Sequence, residues 1–257
     1  KTPADLSLSG HKYISGMPLG LAGDIIFRQD PINISTTGLK LSAWGITANI
    51  DLGIDLAGNP ILTKAGASIP PVKILPLLKL ALPGLLADMP ALKGLDTPLS
   101  FGVNAVVKTP WDMTSPTLPD VRMDFGVPSC ELTFTDKGSS ARIDNLEIRG
   151  SFAFNGADPA KSSLSVPLLD LGGDGVALSL TAEVTEALSS DPIIRLTSKG
   201  NADLSHFRAL LPITGATIHG MLNADASIKC RLSDITEMRL QNIDADGCVE
   251  MRGLLFS

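Results

Sequence analysis

Apolar side chains recur at every second position through much of this chain, and that period decides what it can fold into. A strand sends successive side chains to opposite faces, so a period of two places one face against something apolar and leaves the other to water. From Ile46 the pattern reads Ile46, Ala48, Ile50, Leu52, Ile54 and Leu56, until Gly58, Asn59 and Pro60 close it as a turn. It returns at Leu99, Phe101, Val103, Ala105 and Val107, and again at Val121, Met123, Phe125 and Val127. Leu146, Ile148, Phe152 and Phe154 repeat it, as do Val176, Leu178, Leu180, Ala182 and Val184. Two later runs hold Ile218, Leu222, Ala224, Ala226 and Ile228, then Ile243, Ala245, Val249 and Met251. Turn signals such as Gly156-Ala157-Asp158-Pro159, Gly172-Gly173-Asp174-Gly175 and Ser190-Asp191-Pro192 separate the runs. The fold expected is mainly β: an elongated, curved, mostly antiparallel sheet of about a dozen strands with a few short helices.

Three of these runs carry a central glycine: NLEIRGSFAFNG, TIHGMLNADASI and NIDADGCVEMRG. Glycine inside a strand marks either a bulge or a place where a neighbour packs close, and the sequence leaves both readings open. Two segments break the period. From Pro71 to Gly94 the chain is leucine-rich, and Pro76, Pro83 and Pro90 divide it into two or three short helical pieces. A second short helix is expected from Asp203, a capping residue, to Leu211, with Pro212 as its stop, and a weaker turn from Ser233 to Met238. The leucine-rich segment suggests two sub-regions, residues 1–94 and 95–257.

Composition matters chiefly for what it excludes. The formal net charge is -6 and the Lys and Arg residues are scattered singly, so no basic stripe exists to track a phosphate backbone and no nucleic-acid partner is expected. Aromatics make up 4% against 44% hydrophobic residues, which makes any apolar face predominantly aliphatic. Cys130, Cys230 and Cys248 are odd in number and lack CxxC spacing, which argues against a disulfide framework and against zinc. His11, His206 and His219 share no metal-ligand spacing, and no GxSxG, GxGxxG or phosphate-cradling loop occurs. The acidic turns at Asp244-Ala245-Asp246-Gly247 and Gly172-Gly173-Asp174-Gly175 hold fragments of calcium loops without a full ligand set. No catalytic role, metal or cofactor is expected. No apolar run reaches the roughly 18 residues of a membrane helix, and the chain starts at Lys1 without a signal-like segment, so any leader or anchor is expected outside this sequence.

The stretch from Asn201 to Ile235, NADLSHFRALLPITGATIHGMLNADASIKCRLSDI, followed by DADGCVEMRG, resembles the C-terminal region of the AsmA family. The matching positions are Asp203, Leu204, Leu210, Leu211, Pro212, Gly220, Leu222, Ala224, Asp225, Ser233, Asp234 and Ile235; Cys230 departs from the pattern, which has glycine there. The preceding two hundred or so residues match only in style. The resemblance implies a periplasmic envelope protein of Gram-negative bacteria, anchored through a membrane segment outside this sequence. It also implies a role in outer-membrane biogenesis, and kinship with TamB-like proteins that carry phospholipid between membranes along long curved sheets with an aliphatic interior.

That implication has a physical basis. Each methylene exposed to water costs ~0.8 kcal/mol, so a chain of ~16 carbons needs cover worth on the order of 12 kcal/mol. The residues expected to shield a phospholipid or other acyl-chain lipid are Ile50, Leu52, Ile54, Phe101, Val103, Ile148, Phe152, Leu178, Leu180, Leu222 and Ile228. The leucine-rich stretch from Val72 to Leu92 is expected either to cap an open end of the sheet or to pack on one of its faces. The alternative is an envelope scaffold that contacts other envelope proteins, with the same side chains closed into a lipid-free core.

Overall fold

The computed structural model describes residues 2–8, 11–43, 45–73, 99–136, 139–204 and 218–256. The fold is mainly β. In chain order the strands are β1 (Thr2–Leu8), β2 (His11–Gln29), β3 (Ile32–Ala43), β4 (Ile46–Asp55), β5 (Ile61–Lys73), β6 (Ser100–Val107) and β7 (Trp111–Asp112). There follow β8 (Val121–Asp136), β9 (Ser139–Phe154), β10 (Ser163–Gly173), β11 (Val176–Thr185), β12 (Ile193–Asp203), β13 (Ile218–Arg231) and β14 (Asp244–Phe256). Among the described residues the helical elements are α1 (Leu232–Thr236) and single 3-10 turns at Pro159–Lys161 and Leu240–Asn242. The strands follow one antiparallel path in sequence order from β1 to β14, with β7 stepping off it to pair with β5. Apart from β6 and β8, which flank β7 in the chain, neighbours along this path are consecutive strands, the arrangement that a chain of turn-punctuated alternating runs adopts most readily.

The expected turn from Ser233 to Met238 is realised as α1 and the turn that follows it. Asp203, expected to cap a helix, is the last residue of β12; residues 205–211 of that expected helix, with His206, lie outside the described residues. Of the leucine-rich segment from Pro71 to Gly94, expected to form short helical pieces, Pro71, Val72 and Lys73 instead continue β5, and the rest lies outside the described residues. His11 falls in β2, and His219 is exposed in β13.

Contacts divide the chain into two compact units, one made of Lys1–Val72, Gly102–Asp124 and Ala153–Asp158, the other of Lys73–Phe101, Phe125–Phe152 and Pro159–Ser257. In the first, the register places Phe27, Ile34, Ile54 and Leu62 in one cross-strand row, and Leu39, Ile50 and Ala67 in another. The rows flanking them, on the opposite side, carry Arg28, Asn33 and Asp55, and Lys40, Asn49 and Ser68. Between the two apolar rows β3 carries one extra residue, with Gly38 at φ 61°, and the Leu52 N–H donates to Thr36 Oγ1 at 2.8 Å. A hydroxyl thus satisfies the backbone donor that a bulge would orphan.

The three strand-centre glycines have three different physical reasons. At Gly220 the register between β13 and β14 shifts, so this one marks a bulge. Gly247 sits in unbroken register at φ 111°, and a Cβ there would collide with the carbonyl oxygen of Asp225 on β13. Only a residue without a side chain lets the two backbones approach so closely. Gly150 is buried beneath the ring of Phe125, which occupies the space a side chain would need.

Candidate functional site

In the second unit the register of β10 to β14 assembles a continuous apolar face. One row reads Leu171, Leu178, Gly200, Ala224 and Val249; the next Leu169, Leu180, Ser198, Ala226 and Gly247; a third Val166, Ala182, Leu196, Ile228 and Ala245. Outside these lie Gly173, Val176, Ala202, Leu222 and Met251 at one end and Leu164, Val184, Ile194 and Cys230 at the other. Ser198 is the single side chain on this face with a polar group other than a thiol. The opposite face alternates charge and hydroxyl: Glu183, Arg195, Lys229 and Asp244 share a row, Thr181, Thr197, Ser227 and Asp246 the next, and Ser179, Lys199, Asp225 and Cys248 the one after. Lys199 and Asp225 approach to 3.9 Å there, a well-exposed pair that adds little stability.

Burial follows the same division along β11, where every polar-face residue is exposed while Leu178, Leu180, Ala182 and Val184 are half-buried and Val176 is buried. On the whole face only Val176, Ala202 and Cys230 are buried. Exposure rises toward the edge strand, to 56% at Val249 and 58% at Met251. A sealed sandwich core would bury most of these side chains below a tenth of their area; here they keep substantial contact with solvent. The face also has relief. Ser198, Gly200, Ala224, Ala226 and Gly247 are small, with Leu196 and Ile228 on one side and Leu222 and Met251 on the other, so a band of small residues crosses the strands from β12 to β14, narrowed on β14 to Gly247 by Val249.

The expected lipid-shielding residues distribute over both units. Leu178, Leu180, Leu222 and Ile228 lie together on this face, the first three half-buried and Ile228 exposed. In the same unit Phe101 and Phe125 place their rings 6.3 Å apart, with Phe125 covering Gly150 between Ile148 and Phe152 on β9, all half-buried except Gly150. In the first unit Ile50, Leu52 and Ile54 occupy one face of β4 and Val103 sits in β6, each half-buried. Leu164, Leu169, Leu171, Ile194 and Leu196 belong to the second unit's face as well, and sequence reasoning missed them, because β10 is interrupted by a bulge after Val166 and β12 continues its apolar side with Ser198 and Gly200.

The face ends at a polar corner between β13 and β14. Asp234, buried in α1, accepts from the Arg231 backbone N–H at 3.1 Å and from Asn242 Nδ2 at 2.8 Å. Its carboxyl is held below the usual carboxylate range first by the Asn242 hydrogen bond, then by the Arg231 N–H and the charges of Arg239 and Arg231, against the effect of burial. Asp191, from the β11–β12 connection, accepts from the Ser233 N–H at 2.9 Å and the Ser233 hydroxyl at 3.0 Å. Arg231 Nη1 donates to the Asp191 carbonyl at 3.0 Å and lies 3.5 Å from Glu186. Asp191, Arg231, Ser233, Asp234 and Asn242 line a cavity of about 470 Å³ together with Lys229 and Arg239. Burial, with a contribution from Asp234, raises the Cys230 thiol, which keeps it protonated near neutral pH. The SDI phrase at Ser233, Asp234 and Ile235 pointed to this corner, whereas its partner Asp191 lies too far away in sequence to signal its role and Asn242, eight residues on, belongs to no motif.

Sheet and site together define a class: an antiparallel β protein with an amphipathic sheet, polar on one side and incompletely covered aliphatic on the other. Among the described residues no cluster of His, Cys, Asp and Glu could hold a metal ion, and no helix is long and apolar enough to cross a membrane. Comparison with protein-family models, with curated proteins and with solved structures finds no match for this chain.

Proposed function

We propose that the chain is a non-enzymatic, AsmA-like envelope protein that shields the acyl chains of phospholipid on its aliphatic sheet face during transfer between membranes in outer-membrane biogenesis. The observation that carries the reading is the face of β10 to β14, apolar in every row yet mostly half-buried or exposed. Hydrocarbon laid on it removes water from both surfaces, at roughly 25 cal/mol per Å² of apolar area. Successive rows present similar aliphatic groups, so no position grips an acyl chain much harder than the next and the chain slides without chemistry. The band of small residues runs across the strands, the direction in which a lipid would pass from one strand to its neighbour. A periplasmic setting, and an anchor in a segment beyond this sequence, follow from the family resemblance.

The test is organic extraction of the purified protein followed by mass spectrometry, with Leu178→Asp and Leu222→Asp beside the wild type. Phospholipid is expected to accompany the wild type and to be lost from both variants, which should keep their β-sheet circular dichroism because the face tolerates water. Variants that fail to fold, together with lipid-free wild type, would establish a closed scaffold instead.

A further inference from the structure

The corner between β13 and β14 carries the two most exposed large apolar side chains among the described residues, Met238 at 82% and Leu240 at 71%. Leu232 and Ile235 on α1 and Leu188 on the β11–β12 connection are exposed as well. These two connections are tied together: Asp191 holds Ser233, Arg231 reaches Glu186 and Asp191, and the Leu232 N–H donates to the Pro192 carbonyl at 3.0 Å. The five apolar side chains therefore stand on one fixed knob rather than on independent loops.

Met238 makes the case sharper. It follows α1 at φ 54°, its N–H donating to the Ile235 carbonyl at 3.2 Å while the Arg239 N–H donates to the Asp234 carbonyl at 2.8 Å. This left-handed helix-ending position is normally filled by glycine or asparagine, which adopt it with less strain. A methionine with most of its surface in water gains nothing there from packing. The only other non-glycine residue at positive φ among the described residues is Glu186, on the same knob. Two left-handed non-glycine positions on the knob that carries the exposed apolar side chains point to a surface that meets something.

The surrounding charge identifies the occupant. Arg231 is engaged by Glu186 and Asp191, and Arg239 by Asp234 and Glu237, which leaves four carboxylates against two guanidinium groups. Such a rim is repelled by an anionic surface. Residues 186–192 and 231–242 contain no aromatic residue, and both arginines are already paired, so the anchors that dominate protein interfaces are missing. What remains is an aliphatic and thioether tip suited to the interface of an electrically neutral bilayer.

We infer that this corner is a docking tip for a zwitterionic lipid surface, which brings the end of the apolar face to a membrane. Its purpose, though not its chemistry, rests on the lipid-shielding reading. The test is flotation of the intact chain with phosphatidylcholine vesicles and with vesicles of phosphatidylcholine mixed with phosphatidylglycerol, using wild type, Met238→Asn and Leu240→Ser. Asparagine suits the left-handed backbone, so Met238→Asn should fold at least as well as the wild type. The wild type is expected to float with phosphatidylcholine and less well with the anionic mixture, and each substitution should weaken flotation about tenfold. Failure of the wild type to float, unchanged flotation of both variants, or preference for the anionic vesicles would overturn the inference. So would a wild-type dimer in sedimentation that Met238→Asn dissociates, since the tip would then serve a second copy of the chain. Binding of a fluorescent fatty acid without vesicles separates the two ideas: flotation without fatty-acid binding removes the shielding reading and leaves the tip, whereas the reverse removes the tip alone.

Discussion

β11 and the corner between β13 and β14 belong to the same unit yet are held by opposite means. Along β11 each apolar side chain meets an aliphatic or small residue on either side of the ladder, no charged group is committed, and the contribution of any one residue is modest and repeated. At the corner a few groups do everything: Asp234, Asp191, Arg231, Ser233 and Asn242 satisfy one another with little redundancy. The difference teaches where each kind of order is useful. A surface on which a flexible hydrocarbon is proposed to slide needs uniformity, and the side chains there need no fixed partner. A knob that presents selected side chains needs a fixed shape, which directional hydrogen bonds provide and apolar contact does not.

The comparison breaks most visibly where the apolar face depends on a specific backbone geometry, as at Gly247 on its edge strand. Gly247→Val puts a branched side chain at φ 111°, against the Asp225 carbonyl, so the two backbones must part. A loss on the order of 3 kcal/mol in urea unfolding is expected, with fast hydrogen exchange in β13 and β14 and slow exchange kept in β10 and β11. If the variant is as stable as wild type, the close approach of those strands is not what fixes glycine there.

The central claim about the face is sharpened by Leu178→Ala. In a sealed core such a truncation costs about 2–5 kcal/mol, because a cavity remains. On a half-buried side chain with water at hand to fill the space, about 1–2 kcal/mol is expected. A loss of 4 kcal/mol or so would mean that something covers Leu178 and would remove the basis of the shielding proposal.

The two regions were also unequally legible. β11 declares itself, since Val176, Leu178, Leu180, Ala182 and Val184 alternate with exposed residues without interruption. β12 does not, although it lies in the same face with unbroken register to both neighbours: its apolar side runs Ile194, Leu196, Ser198, Gly200 and Ala202, and periodicity weakens where small residues form the band. β10 hides for another reason, because the bulge after Val166 moves Leu169 and Leu171 out of phase with Leu164 and Val166. The three strand-centre glycines share one sequence signal but have three causes, since a bulge, a close backbone approach and a ring stacked over the chain all exclude a side chain. At the corner, Ser233 and Asp234 could be picked out as a phrase, but Asp191 becomes a partner only when the strands bring a distant turn to it, and Asn242, in the same connection, carries no motif that marks it.

The smallest expected effect on global stability comes from Asp234→Ala, and it tests whether the corner is a local device. Removing the carboxylate leaves the Arg231 N–H and the Asn242 amide without their acceptor, yet these groups sit at one end of the sheet, so the thermal midpoint should fall less than for Leu178→Ala. Amide exchange should nevertheless accelerate from Arg231 to Arg239, with β11 unaffected. The pH dependence gives the same test without a mutation. Because the folded carboxyl lies below its ordinary value of 3.8, its contribution is fully present above about pH 5 and is lost as pH falls through the folded value. Wild type and Asp234→Ala should therefore differ by a constant amount near neutrality and converge below about pH 4. Glu186, Asp191 and Glu237 pair with the same arginines in both proteins, so the difference between the two curves isolates Asp234. A difference that persists undiminished at pH 2 would show that the alanine acts by disturbing packing in α1, and the corner would then owe its shape to contacts other than its ion pairs.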